Sequence, residues 1–196
     1  MNIEPLTLIG TRVILVPLSG AHLDGLASIA TDRSIWEFAP EQVDDREKME
    51  KYIDQALKEQ ADGRSLPFVT MLAETGEIVG STRFGNIDPS HLKAEIGWTW
   101  LSPKWQRSFV NTEAKLLMLA HAFEVWKCIR VEFKTDATNL RSRNAIVRLG
   151  AVEEGTLRQH MITESGRFRD SVYFSILDSE WGPVKERLRE KLRKYS

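Results

Sequence analysis

The chain contains a single cysteine, Cys128, so no internal disulfide can form. Its four histidines, His22, His91, His121 and His160, are scattered with no pair at ligand spacing, and no metal is expected. A surplus of either charge is missing as well. The 27 Lys and Arg face 28 Asp and Glu, for a formal net charge of −1, which disfavours nucleic acid as the main ligand. No stretch approaches about 18 consecutive apolar residues, and no basic segment followed by an apolar run and a small-residue cleavage site stands near the N-terminus. These absences predict a cytoplasmic protein with no membrane partner. Repeats, low-complexity tracts and long linkers are also lacking, so residues 1–196 are read as one domain.

The pattern that remains is mixed. Arg12 to Val16 reads as a first strand, after which Ser19 caps a helix with Leu23, Leu26, Ala27 and Ala30 on one face. A second helix starts at Asp44, with Glu47 completing a capping box, and buries Met49, Tyr52, Ile53, Ala56 and Leu57 before Gly63. Three strands follow as an antiparallel meander: Leu66 to Ala73, Glu77 to Phe84 and Lys93 to Leu101. Helical spacing then returns from about Thr112 to Trp126, and Ile129, Val131 and Phe133 alternate with charges as a strand. Asn139 caps a short helix ending at Gly150, Val152 to Met161 and Phe168 to Leu177 form a hairpin, and a basic helix carries Val184, Leu188 and Leu192. This order predicts an α/β fold of the α+β type: a mixed, mostly antiparallel sheet with helices on both faces and one parallel crossover through the Thr112 helix. The start of that helix lies just past a strand end, where main-chain N–H groups and the helix dipole can receive a phosphate.

Three segments then stand in a recognisable order: Glu95-Ile96-Gly97-Trp98-Thr99-Trp100-Leu101, the loop from Pro103 through Gln106 to Glu113, and Asn139-Leu140-Arg141-Ser142. With Arg148-Leu149-Gly150-Ala151 and Glu154-Gly155 behind them, they resemble the GNAT superfamily of N-acetyltransferases, in the branch of ribosomal-protein N-terminal acetyltransferases. The resemblance runs from about Leu8 to Leu177. It implies acetyl-CoA as donor, with the pantetheine arm along Ile96 and Trp98 and no metal. The pyrophosphate would lie on Gln106, Arg107, Ser108, Phe109, Val110, Asn111 and Thr112, with a further contact from Asn139. It also implies a primary amine as acceptor, on a small molecule or a protein N-terminus, and makes a homodimer an expectation. The family's loop has small residues where this chain has Phe109 and Asn111, so backbone strain and bulk are expected at Phe109. Arg107 and Lys115 are expected to add positive charge near the phosphates.

Amine acetylation needs a deprotonated amine, a polarised thioester carbonyl and a proton for the departing thiolate. Glu95, on the strand flanking the thioester, is the first candidate for general base, with Glu132, Glu153 and Glu154 behind it; a plain ion-pair role for Glu95 is the alternative. Ser142, three residues after Asn139, could supply the proton, or both could serve only as helix cap and first-turn residue. The N–H of Ile96 or Trp98 could stabilise charge on the carbonyl oxygen if the strand splays there. Cys128 has no adjacent His and is not expected to be a nucleophile. Trp36 and Phe38, between the first two helices, are assigned to the acceptor pocket, with a loop anchored by buried aromatics as the other possibility. Trp98 and Trp100 share a strand face and read as core. A catalytically silent CoA-binding or interaction module of the same fold is the second reading.

Overall fold

The computed structural model describes residues 1–195. Eight strands form one sheet in the order β1-β2-β3-β4-β5-β6-β8-β7. The short β1 (Leu8–Ile9) pairs with β2 (Val13–Pro17), and β3 (Leu66–Leu72), β4 (Ile78–Asp88) and β5 (Lys93–Leu101) continue antiparallel. β6 (Arg130–Asp136) lies parallel to β5, and the hairpin of β7 (Val152–Ile162) and β8 (Phe168–Leu177) completes the sheet with β8 beside β6. The expected mixed sheet, mostly antiparallel with one parallel step, is the one observed.

Both faces are covered. The neighbouring β3 residues Phe68 and Val69 enter different apolar clusters, as successive strand residues must. On the Val69 face, α1 (Leu23–Ala30) and α2 (Arg46–Ala61) bury Leu26, Ala30, Met49, Ile53 and Ala56 against Trp100. On the Phe68 face, α3 (Phe109–Ala120), α4 (Leu140–Leu149) and α5 (Trp181–Arg193) contribute Val110, Met118, Leu119, Ile146, Leu149, Val184 and Leu188. No helix among the described residues is long and apolar enough to cross a membrane.

Local chemistry sets the helix ends, and several differ from expectation: Ser19 caps a 3-10 turn, Gly20–His22, that leads into α1, whose own N-cap is His22, and α3 gives way after Ala120 to a π turn, His121–Val125. Asp45, one residue past the expected Asp44, caps α2: its Oδ1 accepts from the Lys48 N–H at 2.8 Å, while Asp44 pairs with the Lys48 side chain. The larger correction is at α3, which begins at Phe109 and not at Thr112. Ser108 is its N-cap, accepting from the Val110 N–H at 3.2 Å and donating to the Trp105 carbonyl at 2.7 Å. α4 is capped by Asn139 and ends at Gly150, whose φ of 111° a side chain would oppose.

Glu113, in the first turns of α3, is 4% exposed and ties the helix to the β1–β2 turn. Its Oε1 accepts from the N–H groups of Thr11 at 2.5 Å and Arg12 at 3.0 Å. Removing a buried acceptor leaves its donors unsatisfied at roughly 1–3 kcal/mol each. Glu113→Ala is therefore expected to destabilise the fold by about 2–4 kcal/mol, read as a lower urea midpoint at unchanged slope.

Candidate active site

β5 and β6 are paired at Lys93↔Arg130, Ala94↔Val131 and Glu95↔Glu132, yet β5 runs on to Leu101 and β6 to Asp136. Past Glu95 the strands diverge into a fork, and the main-chain groups on that side of β5 have no β6 partner. This is the splay that an oxyanion donor at Ile96 or Trp98 requires. β5 also bulges here. Gly97 faces Arg83 and Trp100 faces Ser81, so Trp98 and Thr99 together oppose Thr82 alone.

Trp98 holds the bulge with a φ of 49°, a left-handed conformation that costs a non-glycine residue about 1–3 kcal/mol. Its ring lies against β4: a Cβ built on Gly85 would stand 2.3 Å from it, so only glycine leaves the room. The buried Arg83 guanidinium sits 4.8 Å from the Trp98 ring centroid and 5.0 Å from that of Tyr52, and donates to Glu59 at 3.0 Å. Trp98 is 39% exposed and walls the cleft, whereas Trp100 is buried against Trp36 with ring centroids 5.2 Å apart. The core expectation thus holds for Trp100 and not for Trp98.

Glu95 stands at the crotch of the fork, 2% exposed. Its Oε2 accepts from Asn86 Nδ2 at 2.8 Å and from Lys134 Nζ at 3.3 Å. Lys134 in turn lies 5.9 Å from the Trp98 ring centroid and 5.8 Å from that of Tyr173, its register partner on β8. The Tyr173 phenol is held above its ordinary pKa, first by burial and then by the charges of Glu95 and Glu132. Glu132 and Glu154 are both tied to Arg130, and Glu153 is paired with Arg143. Each of those three glutamates is thus engaged by an arginine, whereas Glu95 has Asn86 and Lys134 as partners.

Because β5 and β6 are parallel, the helix that follows each, α3 and α4, starts at the same end of the sheet as the opening. The loop into α3 turns at Pro103–Trp105, and Gln106 Nε2 donates to the Leu101 carbonyl at 3.2 Å. The expected strain falls elsewhere than at Phe109. Phe109, Val110, Asn111 and Thr112 are helical, and the left-handed residue is the exposed Arg107, with φ of 59°. The Phe109 ring packs against Trp105, Tyr195 and Arg12, with the Arg12 guanidinium carbon 4.5 Å from its centroid. A capped 12-residue helix with its first-turn amides at the loop, and Arg107 exposed beside them, suits a diphosphate.

Lys115 does not add charge there. It is buried inside the sheet-facing stripe of α3, and its Nζ donates to Thr99 Oγ1 at 2.6 Å and Thr82 Oγ1 at 2.9 Å. Burial pushes this amine down to about 7. An unfolded lysine keeps its proton up to about 10.4, so between these values the unfolded chain binds more protons and stability must rise with pH. The expected result is an unfolding free energy that climbs from pH ~7 to ~9 in the wild type, with the climb lost in Lys115→Met.

The remaining predicted residues fall in varied places. Asn139 Oδ1 accepts from the Ser142 N–H at 2.9 Å, which is the capping role, and both residues sit at the start of α4 beside the fork. Trp36 is buried and donates to the Ala30 carbonyl at 2.8 Å, so it anchors its loop; Phe38 beside it is half-buried. That loop meets the β7–β8 hairpin, where the Glu164 N–H donates to the Pro40 carbonyl at 2.8 Å and the Gln42 N–H to Glu164 Oε2 at 2.9 Å. A cavity of about 240 Å³ lies between them, lined in part by Trp36, Gln42, Glu164 and Arg167. Cys128 is buried, and its thiol is pushed up to about 11 by burial, which leaves no thiolate to attack. His121 lies in the core against Phe84 and Trp126, and His160 bonds Ser171 at 3.0 Å. Sequence reasoning missed Asn86, Arg83, Lys134 and Tyr173, all of which enter the cleft from strands. The alternation of charges along β6 was the one available signal for Lys134.

A strand pair that forks past a bulge, with two helix N-termini at the same end of the sheet, leaves main-chain donors there free to meet a ligand. Residues 12–152 match the family model of the acetyltransferase (GNAT) domain, and the chain belongs to that family. Among curated proteins it is 32% identical over 106 residues to YdaF of Bacillus subtilis (strain 168), named provisionally as a ribosomal N-acetyltransferase; the match covers 54% of this chain and 57% of that protein. It is 26% identical over 110 residues to the ribosomal-protein-serine acetyltransferase of Escherichia coli (strain K12), covering 56% of this chain and 61% of that one. The matched part is thus less than two thirds of either relative. Among solved structures, a GCN5-related N-acetyltransferase from Brucella melitensis superposes with a TM-score of 0.89 at 31% identity, over 96% of this chain and 86% of that one. Mycobacterium smegmatis RimJ, solved with CoA-disulfide, shares the fold with a TM-score of 0.83 at 24% identity over 96% of each chain.

Proposed function

We propose that this protein transfers an acetyl group from acetyl-CoA to a primary amine by direct attack within a ternary complex. The observation that carries this reading is the fork past Glu95↔Glu132, with the capped start of α3 at its open end. When bound, the donor supplies a thioester carbonyl. The first-turn amides of α3 and the Arg107 guanidinium hold the diphosphate, and the β5 edge at Ile96 and Trp98 hydrogen-bonds the pantetheine arm. Asn139 adds a contact from the start of α4.

Glu95 takes a proton from the acceptor amine through a water while its nitrogen bonds the carbonyl carbon. The Trp98 or Ile96 N–H stabilises charge on the carbonyl oxygen, and Ser142 donates a proton to the sulfur as the C–S bond breaks, its own proton being restored from Glu95 through water. The acceptor then sits on the face of β5, β6 and β8 that carries Trp98, Lys134 and Tyr173, with Trp36 and Phe38 assigned to its pocket. Two relatives named for ribosomal proteins favour a protein N-terminus as acceptor. An α-amino group, with pKa near ~7.7, also needs less help from a base than an alkyl amine near ~10. A cytoplasmic protein with one catalytic domain fits this role.

A thiol-release assay over N-terminal peptides, polyamines and amino acids tests the reading. Acetyl transfer to peptides, located by mass spectrometry at the α-amine, is expected. Turnover on polyamines alone would move the acceptor to small molecules, and binding of acetyl-CoA without turnover on any amine would leave a silent module.

A further inference from the structure

Behind the bulge sits a cation that the steps above do not use. Lys115 occupies the apolar stripe of α3 with Ala114, Met118 and Leu119, and is 4% exposed. Its two partners, Thr99 and Thr82, are 2.8 Å from each other through their hydroxyls. Both hydroxyls also approach one main-chain acceptor, the Gly97 carbonyl, at 3.3 Å from Thr99 and 3.5 Å from Thr82. That carbonyl belongs to the same peptide unit as the Trp98 N–H, at the fork. Among the described residues no carboxylate pairs with Lys115, and burial is what lowers its proton affinity. Among the described residues its hydrogen-bond partners are the two threonines of β4 and β5, and α3 adds Met118, whose sulfur is 3.7 Å from Thr82 Oγ1. Arg83, Glu95 and Lys134 meet the bulge from the opposite face.

We propose that Lys115 is a positioning residue that acts through Thr99 and Thr82 to polarise the Gly97–Trp98 peptide, making the Trp98 N–H a stronger donor toward the thioester oxygen. A hydroxyl has one proton to give. When Nζ is an ammonium, both threonine oxygens accept from it, and of their two protons one bridges the hydroxyls and the other goes to the Gly97 carbonyl. When Nζ is a neutral amine, its lone pair draws one hydroxyl proton back, and a bond to that carbonyl is lost. Chained hydrogen bonds strengthen one another by roughly 10–30% each, and donation to the carbonyl is relayed to the N–H across the amide. The last link, to the thioester, rests on the acetyl-transfer reading; the coupling of Lys115 to the Trp98 amide does not.

The experiment is a pH titration of the Trp98 amide proton by NMR in the protein without donor, together with steady-state kinetics, for wild type, Lys115→Met, Thr99→Val and the double variant. Thr99→Val changes a surface-reaching side chain at constant shape, so it decides the matter alone if Lys115→Met does not fold. The wild-type amide is expected to shift with a midpoint near the value of about 7 that burial gives Lys115, and to be flat in every variant. Each single variant is expected to lose about 10-fold in kcat with KM for acetyl-CoA unchanged, and the double variant to lose no more than either. A wild-type amide indifferent to pH between about 6 and 9, or a Thr99→Val protein that keeps both the titration and kcat, overturns the proposal. A wild type with the titration but no turnover removes the acetyl-transfer reading and leaves the coupling standing.

Discussion

Glu95→Gln is expected to lower kcat for amine acetylation by about 10²–10³-fold, the usual weight of a general base, while the affinity for CoA stays within about twofold. The substitution keeps the side-chain shape, and the new amide can still accept from Asn86, so the crotch of the fork keeps one of its two bonds. What it removes is the group that accepts the amine proton, together with the charge facing Lys134. The lost ion pair would by itself cost stability and not selectively kcat. The two roles therefore separate in the data: a structural residue lowers the melting temperature and the turnover together, whereas a base lowers turnover in a protein that melts and binds CoA as before. A Glu95→Gln enzyme within about threefold of wild type would shift the base to Glu132, its register partner across the fork.

The second large effect concerns main chain. Proline is accepted at the first position of a helix, because its missing N–H has no partner within the helix. Ser108 before it is extended, with φ of −104° and ψ of −171°, as a residue preceding proline must be. Phe109→Pro thus deletes one amide at the start of α3 and leaves the helix in place. The ring's packing against Trp105 and Tyr195 is lost as well, so Phe109→Ala is the matched control. A hydrogen bond to a charged group is worth about 1.5–3 kcal/mol. Calorimetry should therefore show CoA binding to Phe109→Pro about 10- to 100-fold more weakly than to Phe109→Ala. Equal affinities would mean that this amide does not meet the diphosphate.

How much of this was legible in the residues depended on whether the determinant was local. The meander, the parallel step and the closing hairpin followed from alternation and turn chemistry, which neighbouring residues fix. The periodicity alone starts α3 three residues late, because Phe109, Val110 and Asn111 are poor helix formers in isolation; Ser108, a good cap, is the signal that outweighs them. The left-handed turn at Arg107 and the bulge at Trp98 carry no glycine to announce them, since the surrounding packing imposes both conformations. The fork was invisible because it depends on how two strands distant in sequence separate. Glu95 could be named from its strand, but its partners Asn86 and Lys134 come from two other strands and needed the register. Lys115 is expected near the phosphates, yet it stands at helical spacing from Met118 and Leu119 on the buried stripe of α3, and a lysine is so seldom buried that spacing alone does not announce it.

Crystallisation with acetyl-CoA puts the whole account to its most direct test. The diphosphate should lie within hydrogen-bonding distance of the first-turn amides of α3, with the thioester running into the gap between β5 and β6 beside Trp98. Density for the donor at any other part of the molecule, or a fork left empty by a donor that binds, would contradict it.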